Sequence, residues 1–442
     1  MTEMSPNLRK IYLFHLFNTI AISVVANFLF LDRIFLRMGL NMQQFGFIKG
    51  FAYLLPMGLN LLVSPFVGKL NRDREIVGIG YLIRVFLPLS FFLIPGRIND
   101  KSAMAVAVMI ILITVHVFPI IANNSIQMLV RYHVKQEVLG THLSLITVVW
   151  TLPGFLLAIP LSKILDMHTA GTDQEFYRTM FLIMFFTALF EIFATIIIMR
   201  LPRHNPENHK NLRFRDIFQP FKNEGFRNLL RVIVVSGIIS SMIGAFINPY
   251  LLNVQNMSMT LISVISAGVS LLSILALPFW GKLADHVGGK NIYGIAAAGL
   301  TIGILALLGK GSGFVLVYAF LSWQGSQGLF GSAIYSTQQF MIFTQSDESK
   351  RSVFFAASTF IFGLGWFLGS FFGGFLLEWL RNIRFFSNPM TSYRIYFFIC
   401  SAVSISLVWL TRSLEDDSEK KSAKRMGIAM YRTARTLFGR IR

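Results

Sequence analysis

The chain has 442 residues, of which 54% are hydrophobic and 14% are charged, and its formal net charge is +19. Soluble globular proteins contain about 25% charged residues, so the composition excludes an ordinary soluble domain. The basic residues concentrate at the ends of apolar runs, in one internal segment and in the C-terminal tail. This pattern indicates contact with anionic lipid, and nucleic acid is not an expected partner.

Apolar stretches, taken in chain order, predict twelve membrane-spanning helices. A spanning helix needs about 20 mostly apolar residues, and runs such as Ala103–Val130 and Val232–Gly281 contain no charged residue. The second run is too long for one helix, and the polar stretch Asn253–Ser258 divides it into a hairpin. The predicted spans cover residues 11–31, 44–67, 76–96, 103–127, 141–162, 177–199, 229–252, 259–280, 291–309, 313–341, 352–377 and 393–411.

The predicted spans form two sets of six, separated by a polar and basic segment with three prolines. Parallel repeats of six helices are a known architecture of secondary transporters. The sequence therefore predicts an all-α integral membrane protein with four parts. They are an N-terminal half over 1–200, a linker over 201–228, a C-terminal half over 229–411 and a tail over 412–442.

The orientation is predicted from Lys and Arg, which are abundant in the linker and in the tail. These two segments are six spans apart and must share one side of the membrane, and basic segments favour the cytoplasmic side. We therefore expect a multi-pass protein of the inner membrane, monomeric, with both termini inside. In the tail, Met430 and Leu437 share a helical face opposite Arg432 and Arg435, which favours an interfacial helix; a disordered basic tail is the alternative.

Residues that carry enzyme chemistry are sparse. The single cysteine, Cys400, lies in an apolar run and cannot form an internal disulfide. His15 and His116 are isolated, and neither H-E-x-x-H, G-x-S-x-G nor a P-loop occurs. The sequence therefore predicts no catalytic site, no metal, no cofactor and no ATP hydrolysis.

A short motif occurs after the second span of each half. Pro65–Leu70 and Pro278–Leu283 both read P-F-x-G-K-L. The C-terminal copy continues through Asp285 and Gly288 to Lys290. Glycine permits a sharp reversal, and a carboxylate near a helix N-terminus is stabilised by free N–H groups and the helix dipole.

The C-terminal copy resembles the G-x-L-a-D-r-x-G-r-k loop of the major facilitator superfamily, with Gly281, Asp285, Gly288 and Lys290 at matching positions. The resemblance implies that Asp285 contacts a neighbouring helix end and helps to hold one state of the alternating-access cycle. The N-terminal copy keeps Gly68 but has Arg72 where the family has the acid. Whether this copy also acts as a gate stays open.

Polar residues recur at helical spacing in four of the predicted spans, and such residues in a membrane mark pathways or helix contacts. The stripes contain His15, Thr19, Ser23 and Asn27 in the first span; His116, Asn123 and Gln127 in the fourth; Ser236, Ser240, Gly244 and Asn248 in the seventh; and Trp323, Gln327, Gly331 and Tyr335 in the tenth.

The first, fourth, seventh and tenth helices line the central cavity in the family that the sequence resembles. The resemblance implies a substrate cavity whose candidate residues are Asn27, His116, Asn123, Gln127, Asn248, Trp323, Gln327 and Tyr335. Tight packing by small residues is the alternative. Amides and an indole favour cavity lining in the fourth and tenth spans, whereas both interpretations stay open in the first and seventh.

Only three charged residues lie more than three residues from the end of a predicted span. Arg84 and Glu191 have opposite signs and similar depths, which predicts an ion pair inside the N-terminal half, and a proton relay is the alternative. Lys49 lies near the outer end of the second span, where we expect its side chain to reach the membrane surface.

Together these features predict a secondary transporter that moves a small polar organic solute, sugar-like in character, by alternating access. The alternatives are a multidrug or metabolite exporter of the same fold, a non-transporting receptor or scaffold, and a membrane-embedded enzyme. Coupling to a proton or another ion is expected because no ATP-binding segment is present. His116 is the predicted coupling residue, since an imidazole changes charge near neutral pH.

Overall fold

The computed structural model is helical throughout, with turns but no strand in the part of the chain that it describes. The described residues are 6–25, 27–67, 72–133, 139–168, 171–202, 214–308, 314–346, 351–383 and 388–414.

The helices of the predicted N-terminal half are mostly longer than the apolar runs that predict them. They are α1 (Pro6–Ile22), α2 (Phe28–Arg37), α3 (Met42–Val67), α4 (Asp73–Phe86, continued by a 3₁₀ segment Leu87–Leu93), α5 (Lys101–His133), α6 (Leu139–His168) and α7 (Asp173–Met199).

The remaining helices include two segments with a wider, π-type turn. They are α8 (Gln219–Lys222, after a 3₁₀ segment Phe214–Phe218), α9 (Glu224–Gly244), α10 (Ile247–Pro249, followed by the π segment Tyr250–Val254), α11 (Met259–Val287), α12 (Gly289–Ala306), α13 (Phe314–Ser326, followed by the π segment Gln327–Gly331), α14 (Ser332–Gln345), α15 (Arg351–Asn382) and α16 (Pro389–Leu410, followed by a 3₁₀ segment Thr411–Ser413).

Nine helical segments within the described residues are long and apolar enough to cross a membrane. They correspond to all the predicted spans except the first, fifth and tenth. These three are helical as well, as α1 and α2, as α6, and as α13 and α14. The multi-pass all-α architecture predicted from the sequence is therefore confirmed, and the twelve predicted spans are consistent with it.

Local sequence explains several helix ends. Thr172 and Glu175 form a capping box at the start of α7, in which each side chain bonds to the backbone of the other residue. Gly288 separates α11 from α12 with a φ of 84°, a conformation that glycine adopts without a steric penalty. The predicted loop over residues 281–290 is thus helical as far as Val287 and turns only at Gly288.

The chain divides into two compact units. The first comprises Met1–Phe214, Gly244–Val264 and Ser370–Phe375, and the second comprises Arg215–Ile243, Ile265–Gly369 and Leu376–Arg442. The predicted boundaries of the halves at residues 200 and 229 stay a prediction.

Inside the first unit, α5 packs against α3 and α4, and α7 packs against α1 and α4. Gly80 of α4 brings two backbones together, because a Cβ there would lie 3.0 Å from the Phe118 carbonyl oxygen. Inside the second unit, Gly237 of α9 and Gly365 of α15 make the same kind of close approach. Small residues at helix crossings are typical of membrane bundles.

Candidate functional site

The first predicted span is broken near its C-terminal end. Helix α1 ends at Ile22, and Asn27 adopts an extended conformation before α2 begins. The Asn27 side chain accepts a hydrogen bond from the Leu29 backbone N–H at 3.0 Å, which is the usual role of asparagine at a helix N-cap. Asn27, predicted from its spacing to line a cavity, therefore fixes the start of α2, and broken helices of this kind often surround transport sites.

A buried ion pair follows directly after this break. Asp32 of α2 is 0% exposed and Lys49 of α3 is 1% exposed, and the Lys49 Nζ lies 2.7 Å from Asp32 Oδ1. The expectation that Lys49 extends to the membrane surface is therefore wrong. An ammonium that finds a carboxylate inside the bundle does not need to reach water.

Two groups from the seventh predicted span complete this cluster. Lys49 Nζ also donates to the Ala245 carbonyl oxygen at 2.9 Å, and Asn248 Nδ2 donates to Asp32 Oδ2 at 2.9 Å. The ring of Phe28 lies 5.1 Å from Lys49 Nζ, within cation–π range. Asn248, a predicted cavity residue, is thus half-buried and bonded to the carboxylate.

The sequence contained a signal for this cluster. Asp32 and Lys49 have opposite signs and lie near the outer ends of consecutive predicted spans. Opposite sign and similar depth, the two features from which the Arg84–Glu191 pair is predicted, are thus present in Asp32 and Lys49 as well. A buried pair of this kind is costly to break, because the remaining charge has no water to stabilise it.

The predicted Arg84–Glu191 ion pair does not form as a direct contact. Within the described residues no nitrogen of Arg84 lies within 4.0 Å of the Glu191 carboxylate, and Glu191 Oε2 instead accepts from Asn18 Nδ2 at 2.7 Å. The physical reason is that α1 packs against α7, so that Asn18 reaches the carboxylate first. Arg84 lies over the Tyr81 ring at 6.0 Å and interacts with Glu191 only at longer range.

The polar residues of the fourth predicted span differ in their exposure. His116 is half-buried, its Nδ1 lies 2.7 Å from the Leu112 carbonyl oxygen and its ring centroid lies 5.9 Å from that of Tyr53. A carbonyl oxygen can only accept, so Nδ1 donates and Nε2 is the atom able to take up a proton. Asn123 is exposed, and the Gln127 side chain lies outside the described part.

The stripe of the first span has a structural role at two positions. Thr19 Oγ1 donates to the His15 carbonyl oxygen at 2.8 Å, and Ser23 Oγ donates to that of Ile20 at 2.8 Å. Both side chains are buried. These hydroxyls therefore favour the packing alternative.

The tenth predicted span contains a π segment at its centre. Trp323 is buried one turn before it and stacks on Phe320 with the ring centroids 5.7 Å apart. Gln327 is the first residue of the π segment and is half-buried, whereas Tyr335 is 62% exposed. The Trp280 indole N–H donates to the Leu329 carbonyl oxygen at 2.8 Å. It thereby satisfies a backbone group inside the irregular turn.

The motif at residues 281–290 is described only in part. Gly281 lies within α11, Gly288 makes the turn and Lys290 is half-buried in the first turn of α12. The side chain of Asp285, and Gly68 of the N-terminal copy, lie outside the described part, so their predicted roles in gating stay predictions.

Residues 229–440 match the family model described as Major Facilitator Superfamily. No curated protein matches the sequence.

Solved transporter structures share the fold. The nucleoside transporter NupG has a TM-score of 0.65 at 13% identity, covering 93% of this chain and 99% of that one. The D-xylose-proton symporter has a TM-score of 0.65 at 12% identity, covering 90% and 96%. A bacterial homolog of the human lysosomal transporter Spinster has a TM-score of 0.63 at 15% identity, covering 98% and 96%.

Proposed function

We propose that this chain is a member of the major facilitator superfamily and a secondary transporter for an uncharged, hydroxyl-rich solute. Transport proceeds by alternating access and is coupled to a proton or another ion. Both termini and the linker over 201–228 lie on the cytoplasmic side of the inner membrane, and the chain works as a monomer in contact with lipid.

The preference for an uncharged solute rests on one observation. Asp32 is paired with Lys49, and one oxygen of the Glu191 carboxylate is bonded to Asn18. The buried Trp323 indole nitrogen has no hydrogen-bond acceptor among the described residues. An indole N–H and the nearby amide of Gln327 suit hydroxyl groups, and the indole face suits the C–H face of a sugar ring.

The similar structures support the same class of solute. Two of them are a nucleoside transporter and a D-xylose-proton symporter, and nucleosides and pentoses are both polar solutes rich in hydroxyl groups. A homologue of the iron transporter ferroportin is also similar, with a TM-score of 0.58 at 15% identity. An iron substrate has less support, since the described residues contain no group of three His, Cys, Asp or Glu side chains that could hold a metal.

The test is uptake into proteoliposomes that contain the full chain. Nucleosides, pentoses and hexoses form one set of solutes, and amino acids and apolar cations form the other, each tested with and without an imposed proton gradient. We expect uptake of at least one solute of the first set and none of the second. Uptake restricted to apolar cations would instead support the exporter alternative.

A variant of Trp323 sharpens this test. Trp323→Phe keeps an aromatic ring against Phe320 but removes the N–H, so we expect affinity to fall by about tenfold, as for the loss of one hydrogen bond. The matched control is Trp409→Phe, because Trp409 is 67% exposed on α16. Equal affinities for the two variants would exclude Trp323 from the substrate site.

A further inference from the structure

A second carboxylate near the outer end of the first six predicted spans also bonds to the region where the seventh predicted span ends and the eighth begins. Asp166, near the end of α6, accepts hydrogen bonds from the backbone N–H groups of Met259 and Thr260 at 3.0 and 2.8 Å. It also accepts from the Thr260 hydroxyl at 2.6 Å. A carboxylate here satisfies the free N–H groups at the start of α11 and complements its dipole.

Asp166 and Asp32 therefore have parallel roles. Asp32 bonds to Asn248 and, through Lys49, to the carbonyl of Ala245, while Asp166 bonds to the first residues of α11. All of these atoms lie in the first compact unit, which contains Gly244–Val264 in addition to the first six predicted spans. We name the contacts of Asp32 and Asp166 with this segment the outer clasp.

Two further contacts reinforce the outer clasp. The hydroxyls of Ser162 and Ser263 are both buried and lie 2.6 Å apart. Gly46 of α3 packs directly on the backbone of Ser370, since a Cβ at Gly46 would collide with that carbonyl oxygen. Segments from both predicted halves thus meet near the outer end of the first six predicted spans. They do so through a hydroxyl contact and through a close approach of two backbones.

Two of the described basic residues near the opposite end of the first six predicted spans bond within the N-terminal half. The Arg74 guanidinium donates to the carbonyl oxygens of Met199, the last residue of α7, and of Leu201, two residues further on. Lys10 Nζ donates to the Arg200 carbonyl oxygen at 3.0 Å. Cations at a helix C-terminus are stabilising there, but these bonds do not reach the second half of the sequence. The N-terminal motif copy also lacks its acid, with Arg72 in that position.

We propose that Asp32 and Asp166 are the gate-closing residues of this transporter, and that the outer clasp makes the conformation closed on the outer side its resting state. The solute must then release these bonds before it can enter or leave on that side. The gating role rests on the proposed transport function, whereas the contacts of the outer clasp do not depend on it.

The test measures the clasp without any solute. Spin labels are attached to cysteines introduced at Ser102 and Asn253, both exposed near this end, in the full chain carrying Cys400→Ala. Pulsed electron resonance in lipid nanodiscs then gives the distribution of label distances. We expect one short-distance population in the parent.

Two variants remove single donors and leave the Asp32–Lys49 pair in place. Asn248→Ala removes the bond to Asp32, and Thr260→Val removes the hydroxyl bond to Asp166. We expect each to raise the ratio of long to short distances by about tenfold, which corresponds to the loss of one hydrogen bond to a charged acceptor. The double variant should raise it further.

The matched control is Asp173→Asn. Asp173 is an exposed carboxylate at the same end, but it pairs with Arg37 inside the first six spans. The control should therefore leave the distance distribution unchanged. Donor variants that keep the parent's distribution, or a control that shifts it equally, would overturn the proposal. A failed uptake screen would not affect this result, because no solute is present.

Discussion

At the scale of single residues, the notable feature is that buried charges inside an apolar bundle are bonded to groups distant in sequence. Lys49 bonds to Asp32 and to Ala245, and Glu191 bonds to Asn18. In a low-dielectric interior, a charge without such partners is strongly unfavourable. These residues therefore contribute to the stability of the fold. They also restrict which helices can move apart.

The Asp32–Lys49 pair makes a prediction about stability. Lys49→Met leaves the Asp32 carboxylate buried without its cation, and we expect the free energy of unfolding to fall by about 3–5 kcal/mol. Adding Asp32→Leu should recover much of this loss, since no charge is then stranded. Thermal unfolding in detergent measures both changes.

The exposed pair of Asp173 and Arg37, at the same end of the first six predicted spans, serves as the control for this prediction. Asp173 is 64% exposed in its contact with Arg37, and exposed pairs contribute about 0–1 kcal/mol. Asp173→Asn should thus change the stability little. A Lys49→Met variant as stable as the Asp173→Asn variant would show that burial of the Asp32–Lys49 pair does not matter energetically.

His116 makes a prediction about coupling. If Nε2 of His116 carries the coupled proton, His116→Gln should abolish accumulation of solute against a gradient and spare downhill exchange. His168→Gln is the matched control, because His168 makes the same bond to a carbonyl four residues earlier but is exposed. Accumulation by His116→Gln with the parent's pH dependence would place coupling elsewhere.

At the scale of elements, irregular turns occur in helices that carry predicted cavity residues. The first span breaks before Asn27, and the tenth has its π segment beginning at Gln327. The freed backbone groups are satisfied locally, as when Trp280 bonds to the Leu329 carbonyl. Such irregularity in a membrane is tolerated where protein groups or a polar cavity satisfy the backbone.

The turn between α11 and α12 makes a prediction about a single glycine. Gly288→Ala places a Cβ at a φ of 84° and a ψ of 153°, a conformation that is essentially restricted to glycine, and we expect a loss of about 1–3 kcal/mol in the free energy of unfolding. Gly268→Ala in α11 is the control, since a Cβ there meets no atom within 4 Å. It should be neutral or stabilising. Equal stability of the two variants would mean that the positive φ of Gly288 is not required.

At the scale of the whole molecule, the prediction concerns topology. With both termini cytoplasmic, a cysteine at Lys222 in the linker should react with a membrane-impermeant maleimide only from the inside. A cysteine at Ser102, before the fourth span, should react only from the outside. Both positions are exposed, and the native Cys400 is buried and can be replaced. The opposite labelling pattern would invert the proposed orientation.

The amino-acid sequence alone identifies an integral membrane protein, predicts its helical architecture and carries the family resemblance. The length of its apolar runs requires spanning helices. The residues from Gly281 to Lys290 carry the family resemblance, and they lie inside the stretch 229–440 that matches the family model. Hydrophobic periodicity and run length are local properties, so they can be read without knowing which helices touch.

Only the tertiary structure decided which polar groups meet. Asn18 rather than Arg84 contacts Glu191, Lys49 turns inward to Asp32, and Asp166 caps α11. Sequence gives the depth of a residue in the membrane but not its neighbour, because the neighbour depends on how each helix is rotated and packed. A buried charge bonds to whichever donor or acceptor packing brings within about 3 Å, and that donor can be more than a hundred residues away in the chain.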